Sequence, residues 1–285
     1  MDGVQRDRHR RRPAVSDPVV RLRNAGLSYG SRTLWDGLDL DIHAGEFLAV
    51  LGPNGSGKTS FLKILLGLQQ LSRGTVEING RPAQRGSRDI GYIPQQKAFG
   101  PGTPLRARDL VGLGVDGNKW GLRLNRSPVR RRVDELLDQV GATRYANEPV
   151  GLLSGGELQR LRAAQALATD PDLLLCDEPL LSLDLHHQQA ISALIDRRCH
   201  RENSAVVFVT HEINPVIDYV DRVLYLAGGT FRTGTPSEVL RSDVLSEMYG
   251  SRVEVLRSHG RIVVLGIPDA TTHVHGESGD DHGLE

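Results

Sequence analysis

The sequence predicts an α/β fold, and three short apolar runs are the basis of that prediction. Residues 47–51, 173–176 and 205–209 contain no charged side chain and have the length of buried strands. The residues just after each run are glycine-rich or polar, and apolar residues at helical spacing follow the first run. Apolar residues recur through residues 19–42 and are separated by turn signals, and this pattern predicts an antiparallel β layer. Residues 105–150 mix basic residues with leucine and valine, which indicates an inserted helical subdomain.

The first apolar run leads into a glycine-rich loop that matches G-x-x-x-x-G-K-[ST] at every fixed position. Glycines let the backbone amides and a helix N-terminus point at a polyphosphate, and Lys58 would reach its β- and γ-phosphates. The Thr59 hydroxyl would bind Mg²⁺. A glycine-rich turn that binds nothing is the alternative, and the strand before and helix after the loop argue against it. The predicted nucleotide-binding residues are Gly52, Pro53, Asn54, Gly55, Ser56, Gly57, Lys58, Thr59 and Ser60.

Composition excludes several classes of protein. The 285 residues carry 35 basic and 35 acidic side chains, so the net charge of zero predicts no nucleic-acid partner. No apolar stretch approaches the roughly 20 residues of a membrane helix, so we do not expect the chain to span a bilayer. The arginines at the N-terminus precede no apolar segment, which excludes a secretory signal. Two unclustered cysteines, Cys176 and Cys199, indicate a reducing compartment.

The chain divides into four predicted segments. The N-terminal segment is arginine-rich and polar, so we expect a disordered tail, with attraction to an anionic membrane as an alternative role. The C-terminal segment carries His273, His275 and His282 among acidic residues, and it either holds a transition-metal ion or is passive. The segments are a basic tail at 1–17, the main domain at 18–249 with its helical subdomain at about 97–155, a hairpin at 250–268, and the histidine-bearing tail at 269–285.

Polar residues recur where the remaining predicted strands end. Asp177 and Glu178 follow one buried strand, and the carboxyl ends of such strands are where α/β sheets place ligand chemistry. Gln95 follows another strand, and His211 follows a third; taken alone, a histidine at a strand end would be structural. A Ser-Gly-Gly-Glu sequence at residues 154–157 opens a helix. Ser182-Leu183-Asp184 then precedes a predicted helix from His187 to His200.

The order of these motifs strongly resembles the ATPase subunit of ATP-binding cassette (ABC) transporters. The resemblance covers about residues 19–245, and the Ser-Gly-Gly-Glu signature is its specific part because other phosphate-loop ATPases lack it. It implies that Tyr29 stacks on adenine and that residues 52–60 bind ATP. It implies that Glu178, His211 and Gln95 are catalytic, and that Thr59, Gln95 and Asp177 hold Mg²⁺. It also implies that Ser154, Gly155, Gly156 and Glu157 bind the ATP of the opposite subunit, while Asp184 helps the subunits communicate.

The resemblance also implies partners. One signature and one phosphate loop per chain predict a homodimer of cassettes closed around ATP, acting on a separate membrane permease. Such a subunit would lie peripherally on the cytoplasmic face of the cell membrane. The sequence around residues 91–95 and 111–114 and the histidine-bearing tail look similar to the zinc/manganese importers, which would add a solute-binding protein. The alternatives are a cassette for another substrate, imported or exported, and a non-transport ATPase such as an iron–sulfur assembly component.

Overall fold

The structure, a computed structural model, describes residues 17–95, 99–100, 102–117, 127–258 and 260–266. The predictions for the N-terminal tail up to residue 16 and for the histidine-bearing tail at 269–285 lie outside these ranges, as does His259. Within the ranges, no helix combines the length and the apolar character that crossing a bilayer requires.

Strands and helices occur singly or in short runs along the described chain. The strands are β1 (Val20–Tyr29), β2 (Arg32–Ile42), β3 (Phe47–Leu51), β4 (Arg73–Ile78), β5 (Arg81–Pro82), β6 (Ile90–Ile93), β7 (Leu173–Asp177), β8 (Ala205–Val209), β9 (Arg222–Ala227), β10 (Thr230–Gly234), β11 (Val253–Ser258) and β12 (Arg261–Gly266). The α-helices are α1 (Lys58–Leu65), α2 (Ala107–Asp116), α3 (Ser127–Gln139), α4 (Gly155–Ala166), α5 (Leu185–His200), α6 (Pro236–Val239) and α7 (Ser242–Tyr249). Short 3-10 turns lie at Thr143–Tyr145, Val150–Leu152 and Ile217–Tyr219.

The main sheet has the strand order β10-β9-β3-β8-β7-β6. Its pairs from β9 to β6 are parallel, and β10 pairs antiparallel with β9 at the edge. Every residue of β3, β7 and β8 is buried because helices or the second sheet cover both faces. The predicted α/β fold is therefore confirmed, and its three apolar runs are the central strands.

Alternate residues of these strands enter two different cores, as the period of two requires. On one face, Leu48 and Val50 of β3 join α1 and the antiparallel sheet β2-β1-β4-β5. Trp35 of β2 meets Phe61 of α1 edge to face, with ring centroids 6.2 Å apart. On the other face, Phe47 and alternate residues of β7 and β8 pack with α2, α3, α4 and α5. Helix α1 therefore lies between the two sheets, immediately after the glycine-rich loop.

The helices between β6 and β7 form one packed group. Val133, Leu136 and Leu137 of α3 are buried, whereas the arginines at positions 130 and 131 are exposed, so the basic face of α3 points to solvent. Helix α5 begins at Leu185, two residues before the predicted start at His187. The reason is the Asp184 side chain, which accepts a hydrogen bond of 2.9 Å from the backbone N–H of His187 and so caps an earlier turn.

The hairpin of β11 and β12 is attached to the segment that follows β8. The Asn214 side-chain amide pairs with the backbone of Ile262 as a neighbouring strand would. Its Nδ2 donates to the Ile262 carbonyl at 2.9 Å, and its Oδ1 accepts from the Ile262 N–H at 2.8 Å. Ile262 and Val253 are buried against the core, while Val263 and Leu265 on the hairpin remain exposed. The Asn214 amide is thus one of several attachments of the hairpin, together with hydrogen bonds that involve Ser242 and Ser246 of α7 and Arg257.

Gly91 of β6 lies against the end of α4, and we expect Gly91→Ala to destabilise the fold. A Cβ at Gly91 would lie 2.3 Å from the Ala166 carbonyl oxygen and 2.8 Å from Pro171 Cγ, so strand and helix must separate. Overpacking of this kind costs about 1–3 kcal/mol. The measurement is the free energy of unfolding in urea.

Gly112→Ala is the matched control for this substitution. Gly112 lies within α2, and the nearest atom to an added Cβ is Val133 Cγ2 at 3.8 Å. Replacing glycine by alanine inside a helix stabilises it by up to about 1 kcal/mol. The two variants are expected to shift the urea midpoint in opposite directions, and equal midpoints would contradict the proposed clash.

Candidate functional site

The loop between β3 and α1 is shaped by glycines that no other residue could replace. Gly52 has a φ of 142°, and a Cβ there would lie 2.0 Å from the Leu226 carbonyl oxygen. Gly57 has a φ of 99° at the N-cap of α1, and its missing Cβ makes room for Trp35. Because Gly52 and Gly57 have no side chain, the backbone of residues 52–57 can turn tightly and lead directly into the N-terminus of α1.

Lys58 is bonded to the loop that precedes it. Its Nζ donates to the Gly52 carbonyl at 2.7 Å and to the Pro53 carbonyl at 3.0 Å. Burial lowers the pKa of Lys58, and the nearby carboxylates of Glu178 and Asp177 oppose that shift. Beside it, the buried Ser56 Oγ has no hydrogen-bond partner among the described residues. The loop therefore offers a cation and a spare hydroxyl to an anionic ligand.

Asp177 lies at the end of β7 and faces the start of α1. Thr59 Oγ1 donates to Asp177 Oδ1, and the Tyr92 hydroxyl donates to Asp177 Oδ2, both at 3.4 Å. Burial raises the pKa of Asp177, as does the charge of Glu178, and the two hydrogen bonds only partly offset this. A hydroxyl and a carboxylate at this separation are the oxygen ligands that Mg²⁺ prefers, so the residues fit the predicted ion.

Glu178 and His211 are in direct contact. His211 Nδ1 donates to Glu178 Oε2 at 2.7 Å, which joins the residue after β7 to the residue that follows β8 and Thr210. Glu178 has a φ of 48°, and its backbone N–H donates to the Val209 carbonyl at 3.0 Å. A positive φ on a glutamate is uncommon and unfavourable, and such strain is typical of functional residues that the surrounding structure holds in place.

A cleft of about 400 Å³ is lined by nine of the predicted site residues, whereas Gly52, Pro53, Ser56, Asp177 and His211 are outside its lining. Tyr29 is 53% exposed at its rim, and its hydroxyl shares a hydrogen bond of 3.1 Å with Ser60 Oγ. Arg32 Nη2 donates to the Gly55 carbonyl at 3.4 Å, so the cleft has a second cation besides Lys58. The cleft is lined by Tyr29, Arg32, Leu34, Asn54, Gly55, Gly57, Lys58, Thr59, Ser60, Gln95 and Glu178.

Two of the residues at this site were missed by sequence reasoning. Arg32 lies on β2, far from the loop in sequence, and only its hydrogen bond to Gly55 reveals its place. Tyr92 lies on β6 and contacts Asp177, and burial together with this carboxylate raises the pKa of Tyr92 to about 12. The available signal for Tyr92 was its position three residues before Gln95, whereas no local pattern marks Arg32.

The Ser-Gly-Gly-Glu signature forms the start of α4 and does not line the described part of this cleft. Ser154 Oγ accepts from the Glu157 N–H at 3.3 Å, and the Glu157 carboxylate accepts from the Ser154 N–H at 3.1 Å, which is a capping box. Gly156 packs against His187, because a Cβ there would lie 2.3 Å from His187 Cδ2. His187 Nδ1 in turn donates to Asp184 Oδ2 at 2.8 Å.

Comparison with known proteins identifies the family. The family model for ABC transporters matches residues 35–181. The chain belongs to the ABC transporter family. It is 35% identical over 235 residues to the zinc import ATP-binding protein ZnuC of Paramagnetospirillum magneticum, an alignment that covers 82% of this chain and 84% of that protein.

Solved ABC structures agree with this assignment. An inward-facing ABC transporter described as metal-chelate type superposes with a TM-score of 0.73 at 26% identity, covering 89% of this chain and 98% of its own. A dimeric cassette in a post-hydrolysis state with ADP and Pi superposes with a TM-score of 0.66 at 30% identity, covering 76% and 98%. The resemblance to an ABC ATPase subunit is therefore confirmed, and with it ATP binding and hydrolysis.

We expect Asp177→Asn to stabilise the nucleotide-free protein at neutral pH. A carboxyl whose pKa is raised in the folded state destabilises that state once it ionises, and the penalty disappears as the pH falls below its unfolded pKa of about 4. The urea midpoint of Asp177→Asn should therefore exceed that of the wild type at about pH 7.5 and converge with it at about pH 4.

Asp184→Asn provides a control of opposite sign. Hydrogen bonds from His187 lower the pKa of Asp184, so its charge stabilises the folded state above the unfolded pKa and this contribution is lost as the pH falls. That substitution should lower the midpoint at about pH 7.5. If Asp177→Asn also lowers it, burial of the Asp177 charge is not the dominant effect.

Proposed function

We propose that this chain is the ATP-hydrolysing subunit of a divalent-metal importer and that zinc is its cargo. The similarity to a zinc import ATP-binding protein over most of both chains is the observation that supports the cargo. We further propose that two copies form a dimer at the cytoplasmic face of the membrane, that they act on a separate permease, and that a solute-binding protein delivers the ion. Manganese is the alternative cargo.

The contacts at the cleft suggest what each residue does when MgATP binds. Lys58 Nζ, which contacts the Gly52 and Pro53 carbonyls at 2.7 and 3.0 Å, is proposed to exchange them for phosphate oxygens. Tyr29 is exposed at the rim, where an adenine ring would stack on it. Thr59, Gln95 and Asp177 are proposed to hold Mg²⁺, which neutralises charge on the phosphates.

Glu178 is proposed to orient the attacking water. Glu178 lines the cleft, and the hydrogen bond from His211 holds one of its two oxygens; the other oxygen is proposed to bind the water. Phosphoryl transfer depends mainly on positioning and charge, so a well-fixed carboxylate and a histidine that contacts the γ-phosphate are sufficient roles for this pair. The strained backbone of Glu178 supports the same assignment.

The signature residues are proposed to act on the ATP of a second copy. Ser154 and Glu157 lie at the start of α4 and are exposed or only partly buried, outside the described lining of the chain's own cleft. The similar dimeric cassette supports an arrangement of two copies. In this arrangement Asp184, which contacts His187 beside Gly156, is proposed to link the two sites.

Glu178→Gln should retain MgATP binding and lose turnover by a factor of about 10² or more, because the amide keeps the shape but cannot accept the proton of the water. Without hydrolysis the variant should elute as a dimer with MgATP and as a monomer without it. Turnover is measured by phosphate release, and association by gel filtration.

Glu212→Gln is the matched control, since Glu212 is an exposed acid one residue after His211 and outside the described lining of the cleft. It should keep turnover and show no trapped dimer. Adding Lys58→Ala to Glu178→Gln should abolish the dimer by removing the phosphate contact. Wild-type turnover in Glu178→Gln would refute the catalytic role.

The cargo is tested by transport. The cassette is reconstituted with its permease in vesicles that enclose MgATP, with the solute-binding protein and radioactive zinc outside. These vesicles should accumulate zinc only when MgATP is enclosed, and Glu178→Gln should abolish accumulation. Manganese uptake without zinc uptake would favour the alternative cargo. ATP-dependent loss of ion from preloaded vesicles would overturn import.

A further inference from the structure

A second group of metal-binding side chains lies at the start of α5. Asp184, His186 and His187 each present one ligand atom, and the three atoms lie within 4.8 Å of one another. Asp184 and His186 are exposed and His187 is half-buried, so an ion can enter from solvent. Within the part of the chain that the structure describes, this is the one such group of histidine, cysteine and acidic side chains.

We propose that this cluster is a regulatory site for a divalent ion of the zinc class. Two imidazoles and a carboxylate are ligands that zinc accepts, and a water completes the fourth position. Tetrahedral ligands at about 2.0–2.1 Å from zinc are about 3.4 Å apart. His186 must therefore approach the other two ligands, and the Asp184–His187 pair must open slightly from 2.8 Å. The exposed His186 ring, whose centroid is 5.6 Å from that of His187, can make this movement by rotation about its side-chain bonds.

Two of the three proposed ligands, Asp184 and His187, are already in contact. His187 Nδ1 and Asp184 Oδ2 are 2.8 Å apart and share a proton. An ion that binds both atoms replaces this hydrogen bond, and the ring proton then resides on Nε2, so the exchange needs no other reactant. Asp184 Oδ1 still accepts from the His187 N–H at 2.9 Å, which holds the carboxylate in place at the N-cap of α5.

The ion would act on ATP turnover through Gly156. The His187 ring lies directly against this glycine, since an added Cβ would approach its Cδ2, Cγ and Nε2 atoms to 2.3, 2.6 and 2.7 Å. Fixing the ring therefore fixes the first turn of α4. This step rests on the proposed function, in which that turn must adjust to a second copy's ATP. A zinc ion bound at Asp184, His186 and His187 then slows hydrolysis when the imported ion accumulates.

The test uses the full chain with His273→Ala, His275→Ala and His282→Ala, so that the histidines of the C-terminal tail cannot bind. Zn²⁺ affinity is measured without nucleotide by competition with a chromophoric chelator, and Co²⁺ absorption reports the coordination. Turnover is then measured in excess MgATP at buffered Zn²⁺ concentrations. We expect one Zn²⁺ per chain and zinc-dependent inhibition over the same concentration range.

Adding His186→Ala should weaken Zn²⁺ binding by at least about 10-fold, shift inhibition by the same factor and leave zinc-free turnover unchanged. His43→Ala, outside the cluster, is the matched control and should change neither quantity. Binding that is unaffected by His186→Ala overturns the site. Binding that depends on His186 without any inhibition overturns its regulatory role. If zinc-free protein lacks ATP hydrolysis, the proposed function fails, whereas the affinity measurement still reports on the cluster.

Discussion

The parallel pairing of β8 with both of its neighbours is the constraint on which the whole site depends. Val209 is in register with Asp177 of β7 and with Val50 of β3. Three chain segments therefore leave the sheet at the same edge, namely the glycine-rich loop, the Asp177-Glu178 pair and the segment to His211. A slip of one residue would send alternate side chains to the wrong core and separate these groups, so burial on both faces fixes the site geometry.

The charges gathered at this edge reduce stability, and neighbouring groups only partly compensate. Asp177 has a raised pKa and Lys58 a lowered one, because burial disfavours both charges. Each group has local partners: two loop carbonyls for Lys58, and the Thr59 and Tyr92 hydroxyls for Asp177. If polyphosphate and Mg²⁺ bind here as proposed, they would supply charges opposite to those of Lys58 and Asp177, which would couple ligand binding to stability.

Local patterns predicted the parts of the molecule that depend on neighbours in sequence. The loop at residues 52–59 and the three buried strands follow from motif and hydrophobicity, and the structure places them as expected. Arg32 could not be found this way, because it acts through a residue distant in the chain, and the contact of Tyr92 with Asp177 is equally distant although its position near Gln95 was a local signal. The contact of His187 with Gly156 was equally hidden, since it depends on how α5 packs beside α4. Sequence periodicity predicts a strand or a helix, but it does not predict which other strand or helix packs against it.

The glycine-rich loop and the Ser-Gly-Gly-Glu signature are each hydrogen-bonded internally in this structure. Lys58 is bonded to loop carbonyls, and the Ser154 hydroxyl is engaged with Glu157 within its capping box. If Ser154 contacts a second copy's ATP as proposed, ATP binding exchanges these hydrogen bonds rather than adding new ones, and such exchanges contribute only modestly to affinity. The larger contributions must then come from phosphate charge and from surface buried between two copies. On this proposal a single copy would gain little free energy by binding ATP alone, so association of two copies would be part of the binding step.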